Sequence, residues 1–271
     1  MTFRTWTFTL WVLLPACTSL ERVIADTQVP NPSPRELHAQ KGEDFDHATF
    51  TKVLQRFVDE QGRVDYPALA EAPDDLEAYL AQLEALDYGR LSRDAKLATL
   101  INAYNAFTLR LILDHLPTDS IRDIPKKERW EGRQWPLGGD QVTLSQIEHA
   151  RLRAEFRDPR IHFAINCASE SCPPLPRRAF ETNILEAQLE EAARRVHDPA
   201  SRWFSWNEKS RTVQLFRVYL WFHKDFEAEG GSVEAYAARF SPPLQAALAS
   251  GSVKVRYLDY DWSLNASRGP R

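Results

Sequence analysis

"SRDAKLATLINAYNAFTLRLILDHL", residues 92–116, decides the fold. Ser92 is a good N-cap, and Asp94 sits where the helix dipole favours a negative charge. Behind them come some eighteen residues that are apolar almost all round. A helix with no polar stripe must be enclosed on every side, so this one predicts the centre of a domain. Asn102 and Asn105 lie three apart on one face of it. A buried amide without partners costs about 1–3 kcal/mol, so both must be bonded to something. Either they hold a neighbouring loop by its backbone, or they line a site and orient a base or a substrate.

The flanking segments predict more helices and a few short strands. Phe50, Val53, Leu54 and Phe57 recur at helical spacing, and so do Leu76, Tyr79, Leu80 and Leu83 over 74–86. "GRQWPLGGDQVTL" predicts a hairpin about Gly138-Gly139-Asp140. "SQIEHARLRAEF" follows as a helix in which Ser145 and Glu148 match the S-x-x-E capping box, giving Glu148 a structural use; His149 has none. "RIHFAIN", residues 160–166, alternates like a strand. A helix follows it, with Ile184, Leu185, Leu189 and Ala192 inward. "RWFSWN" and "RTVQLF" pair about "NEKS", "VYLWFHKDFE" and "SVEAYAARF" are helical, and "SVKVRYLDYDW" closes as a strand. With no βαβ alternation, this order implies a single α+β domain: mostly helical, with a small antiparallel sheet and a buried central helix.

The chain has 271 residues, 43% hydrophobic and 27% charged, enough for a sizeable core. A net charge of -4 offers no basic field for nucleic acid. Neither a glycine-rich phosphate cradle nor a dinucleotide fingerprint is present, so no cofactor is expected. Residues 1–25 read as an export signal: Arg4, then an apolar run too short to span a bilayer. Cleavage falls before Cys17, at a lipobox-like "LPAC" that would lipidate that cysteine, or after Ala25. The expected location is therefore the periplasm, or the outer membrane as a lipoprotein, touching membrane only through its lipid anchor. Residues 26–44 read as a linker, 45–264 as the domain and 265–271 as a frayed tail.

"RIHFAINCASESCPPL" holds the chemistry, with two of the three cysteines five apart. Read as a strand, it puts His162, Ala164 and Asn166 on one face and Phe163, Ile165 and Cys167 on the other. His162 and Asn166 would then stand roughly 13 Å apart. Four readings remain open. A Cys167–Cys172 disulfide suits an exported protein. A nucleophilic cysteine could take His162 or His149 as base, and Cys172 before Pro173 is placed to begin a helical turn that would lower its pKa. A zinc clasp fits the ligand types but no common spacing, so no metal is expected. Buried, inert thiols are the fourth.

With "LINAYNAFTL", "VTLSQIEHARLR", "YLWFHKDF" and "YLDYDWSLN", this segment resembles the domain-of-unknown-function family 547 over Phe45 to Leu264. That family has bacterial exported and plant members, and its name assigns no activity. The resemblance groups Asn102, Tyr104, Asn105, Glu148, His149, His162, Asn166, Cys167, Cys172 and Asp225. Such a set of residue types is what a papain-like or transglutaminase-like thiol site uses, although there the cysteine precedes the histidine in the chain. The expectation is a cysteine-dependent hydrolase or transferase acting on amide bonds of a peptide or cell-envelope component. Cys167 or Cys172 would attack, His162 or His149 take the proton, Asn102 or Glu148 orient the imidazole, and Asn105 and Asn166 contact substrate. The other expectation is a non-catalytic envelope scaffold with the two cysteines bridged.

Overall fold

The computed structural model describes residues 42–267. The leader with Cys17, most of the linker and the last four residues lie outside that range. Helices α1 (Ala48–Phe57), α2 (Tyr66–Glu71) and α3 (Asp74–Ala85) precede α4 (Arg93–Leu113), the predicted central helix. Ser92 caps α4 by accepting from the Ala95 N–H. Sixteen of its residues are buried, Asn102 and Asn105 among them, so it is enclosed as its sequence requires.

Strands β1 (Trp135–Leu137) and β2 (Asp140–Val142) form the predicted antiparallel hairpin. Helix α5 (Gln146–Phe156) is wound as a π-helix. Its cap differs from the S-x-x-E reading. Thr143 accepts from the Gln146 N–H, and Gln146 accepts from the Thr143 N–H. That reciprocal pair is a capping box two residues earlier than expected, and it releases Ser145 and Glu148.

"RIHFAIN" is not a strand. Its first half is helix α6 (Ile161–Ala164), after which the chain is extended at Ile165. Asp158 accepts from the Arg160 N–H and its carbonyl from Ile161, so an Asp-Pro start winds the segment. Capping chemistry three residues upstream outweighs the alternation. The face assignment falls with the strand: His162 is 2% exposed, while Cys167 is half-buried.

Helix α7 (Leu185–His197) leads into a mixed sheet. Strand β3 (Phe204–Asn207) is antiparallel to β4 (Thr212–Leu215), and β5 (Lys254–Tyr257) lies parallel on its other side. Between β4 and β5 come α8 (Val218–Trp221), α9 (His223–Gly230), α10 (Val233–Ala238) and α11 (Pro242–Ala249). The last of these is a short helix for which the sequence reading made no provision. The architecture is α+β, as the order of elements implied.

Two hydrophobic clusters fill the molecule. One gathers α1 to α5 around α4; the other gathers the sheet and α8 to α11. Helix α6 straddles them, giving Ile161 and Ala164 to the first and Phe163 to the second. After β5 the chain runs back over both, pairing with Glu170, Ala168 and Val64 as far as Ser267. Asn265, expected in a frayed tail, is 2% exposed because its side chain bonds Tyr66 and Asn166.

Candidate functional site

The cysteine segment is a tight loop. Asn105 accepts from the Asn166 N–H at 2.8 Å and donates to the Ala164 carbonyl at 3.0 Å, pinning the loop to the central helix. Asn166 in turn donates to the Pro173 carbonyl and accepts from the Ala168 N–H. Ala168 is left-handed, with φ 62°, a conformation that costs a non-glycine residue roughly 1–2 kcal/mol. This turn folds Cys167 back over Cys172. The sulfurs stand 2.6 Å apart, and both cysteines are free.

Donors converge on the Cys172 sulfur. They are the Cys167 N–H at 3.1 Å, the Cys167 thiol, and the Tyr260 hydroxyl at 3.2 Å, itself 2.7 Å from the Ser169 hydroxyl. Burial opposes ionisation of Cys172, but hydrogen bonds from Cys167, Ser169, Tyr260 and the Cys167 amide outweigh it and bring the pKa down to about 6. Cys167 is pushed well above the usual thiol value, first by donating to Cys172 and then by burial. The two titrate as a pair in which Cys172 ionises first. No helix begins at Cys172, so the expected dipole has no part in this; side chains and one amide do the work.

A second network lies on α5, α6 and α9. Nε2 of His162 donates to Asp225 at 2.8 Å, and the Arg153 guanidinium grips the same carboxylate through Nε at 2.7 Å and an Nη at 3.0 Å. Burial raises the Asp225 pKa, yet His162 and Arg153 outweigh it and hold the group well below the usual carboxylate range. The other Nη of Arg153 donates to Nδ1 of His149 at 3.1 Å. Burial lowers the His149 pKa, against the raising charge of Glu148, and the Arg153 charge adds to the lowering. The hydrogen bonds fix both tautomers. His149 accepts at Nδ1, so its proton sits on Nε2. His162 donates at Nε2, so its lone pair is on Nδ1. Of the two imidazoles, His162 has the free acceptor that a base needs, and His149 is built as a donor.

Both networks face one cleft of about 140 Å³. Its lining includes Glu148, His149, His162, Cys167 and Cys172, with Tyr104, Trp130, Trp221, Tyr260 and Trp262. The structure thus brings together five of the predicted site residues from segments that are apart in the chain. Glu148 accepts from the Tyr104 hydroxyl at 3.4 Å. Asn102, Asn105 and Asn166 do not line the cleft. Asn102 donates to the Phe180 carbonyl and accepts from its N–H, so its amide, like that of Asn105, serves a loop backbone. The residue that orients an imidazole is Asp225, on α9, rather than Asn102. Tyr260, Ser169 and Arg153 are the contributors that sequence reading missed. Tyr260 did stand in a quoted motif, "YLDYDWSLN", but nothing local marked its hydroxyl. Among the described residues no group of three or more His, Cys, Asp or Glu side chains is arranged to hold a metal ion.

No curated protein and no solved structure matches the chain. Residues 88–195 match the model of a family described as "Protein of unknown function, DUF547". The matched stretch runs from the turn before α4 into α7, and it contains the cysteine loop, both imidazoles and Glu148. Over this stretch, which is less than half of the chain, the sequence is similar to that family.

Proposed function

We propose that the cleft is the active site of a cysteine-dependent hydrolase or transferase acting on an amide bond. The observation that supports it is a sulfur that three donors reach, in the same cleft as an imidazole that a carboxylate orients. In this reading His162 Nδ1 takes the Cys172 proton as the thiolate forms. Cys172 Sγ attacks the carbonyl carbon, and the C–N bond breaks as His162 returns that proton to the leaving amine. A water or a second amine then gives a proton to His162 and displaces the sulfur, restoring the thiolate. Asp225 holds the imidazole through both halves, and Tyr260 and Ser169 stabilise the sulfur anion. The substrate is a peptide or a cell-envelope component. The protein itself is exported, and the apolar leader ahead of Cys17 supports attachment to a membrane through lipid on that residue.

The test is alkylation of the purified protein by iodoacetamide from pH 4 to 9. Cys172 should react with a midpoint near pH 6, and Cys172→Ser should abolish the component with that midpoint. Turnover of amide substrates should fall at least about a hundredfold in His162→Ala and Asp225→Asn. A midpoint near the ordinary thiol value of about 8.5 would sink the reading. The 2.6 Å between the sulfurs also favours a second one, a bridged and non-catalytic envelope domain. Finding no free thiol at 167 or 172 in protein isolated from its own compartment would establish that alternative.

A further inference from the structure

The chemistry of the cleft wall narrows what can enter it. Trp221, Tyr260 and Trp262 pack ring against ring at 4.4 to 5.7 Å between centroids, and Trp130 joins Trp262 at 5.9 Å. Two carboxylates, Glu131 and Glu148, share the lining, and no lysine or arginine side chain is part of it. The neighbouring guanidiniums show how these rings behave. Arg122 stands 5.3 Å over Trp262 and Arg129 5.3 Å over Trp130, yet neither lines the cleft. Arg153 stands 4.8 Å over Phe222 with its charge committed to Asp225. An aromatic-walled space with two acids and no lining lysine or arginine attracts positive charge, because ring faces and carboxylates present the same sign of potential. A carboxylate or phosphate entering there would meet like charge and no donor fork.

We propose that the cleft binds an alkylammonium group, held against Trp130, Trp221, Tyr260 and Trp262 and beside Glu131 and Glu148. Resting on the proposed thiol chemistry, this makes the substrate an amine-bearing compound whose cationic head docks next to Cys172. A lysine side chain or a quaternary amine has the required form.

The probe pair is choline and its uncharged isostere 3,3-dimethyl-1-butanol, which share shape and differ in charge. Full-length protein is titrated with each at constant ionic strength. Two readouts are taken, the iodoacetamide rate at Cys172 and tryptophan fluorescence. Choline should slow alkylation and perturb fluorescence saturably, at concentrations at least about fivefold below those of the isostere. Glu148→Gln and Trp262→Ala should each raise the half-effective choline concentration about fivefold. Glu148→Gln keeps the side-chain shape, so it stays informative should loss of Trp262 disturb the fold. Equal effects of choline and isostere, or stronger protection by acetate, would overturn the proposal. A reactive Cys172 that choline leaves untouched removes the ammonium subsite and spares the thiol reading. Choline-dependent fluorescence lost in Trp262→Ala, with no thiol ionising near pH 6, does the reverse.

Discussion

Tyr260 and Asp225 have the same job at two ends of the site: each supplies the partner that gives a reactive group its electronic state. Tyr260 reaches both sulfurs at 3.2 and 3.4 Å. A hydrogen bond to a charged acceptor contributes about 1.5–3 kcal/mol, and one pKa unit corresponds to about 1.4 kcal/mol. Tyr260→Phe should therefore move the alkylation midpoint of Cys172 up by about one to two units from about 6, with the ring stack on Trp221 and Trp262 retained. Ser169→Ala should move it in the same direction and by less, since its closest bond runs to Tyr260 at 2.7 Å. An unmoved midpoint in both variants would show that the Cys167 donors alone set the ionisation. The family resemblance grouped Asp225 with the site, but none of these contacts was legible beforehand. The Tyr260–Cys167 contact spans 93 residues and the His162–Asp225 contact 63. Spacing along a chain reports neighbours within a turn or a strand, whereas these partners meet only because two clusters fold against one short helix.

Elements were legible in proportion to how local their causes are. Helix α4 announced its start at Ser92, its length and its burial, because a cap and an all-apolar run are properties of the segment itself. The Asn102 and Asn105 amides were legible as buried groups needing partners, but which backbone they would meet depended on two distant loops. Helix α6 was misread since alternation over seven residues is a weak signal beside an Asp-Pro start. The two asparagines give a matched pair of tests. Each makes two buried hydrogen bonds to backbone, Asn102 to Phe180 and Asn105 to Ala164 and Asn166. Asn→Ala at either position leaves a carbonyl and an N–H without partners, so urea denaturation should show a loss of about 2–4 kcal/mol in each case. Their local consequences should differ. Asn105 pins the loop that carries Cys167, so Asn105→Ala should also broaden and raise the pH profile of thiol alkylation. Asn102→Ala, acting on the segment before α7, should leave that profile in place. Identical profiles in the two variants would mean that the loop holds its geometry without the central helix.

At the scale of the molecule, one neutral histidine stands in each cluster. His47 takes part in a hydrogen bond with the Tyr79 hydroxyl at 2.7 Å and lies edge-on to Phe45, while Phe50 stacks on Tyr79. His197 donates from Nδ1 to the Ala193 carbonyl and accepts the Tyr219 hydroxyl at Nε2, both at 2.7 Å. Burial lowers the pKa of each from 6.5 to about 4, against charges of Asp46 and Glu181 at His47 and the Ala193 bond at His197. Folded values below the unfolded one mean that the unfolded chain binds more protons between those limits. The contribution of these two histidines is thus fully present above pH 6.5, falls as the pH drops towards 4, and levels off below. Each histidine should account for roughly 3 kcal/mol of that loss, with Cys172 adding a separate decline between pH 9 and 6. The urea midpoint measured at pH 7.5, 6.5, 5.5 and 4.5 checks the window. His197→Gln keeps hydrogen-bonding capacity at that position but cannot gain a proton in this range, so it should flatten the slope below pH 6.5 by about a third to a half, His47 and His149 carrying the rest. Because α6 contributes to both clusters and carries His162, acid loosening of either one reaches the cleft. Cys172 should accordingly become more accessible to a bulky maleimide as the pH falls from 6.5 to 4.5, once rates are corrected for the thiolate fraction. A corrected rate that stays flat through a clear fall in stability would show that the two cores yield independently of the helix between them.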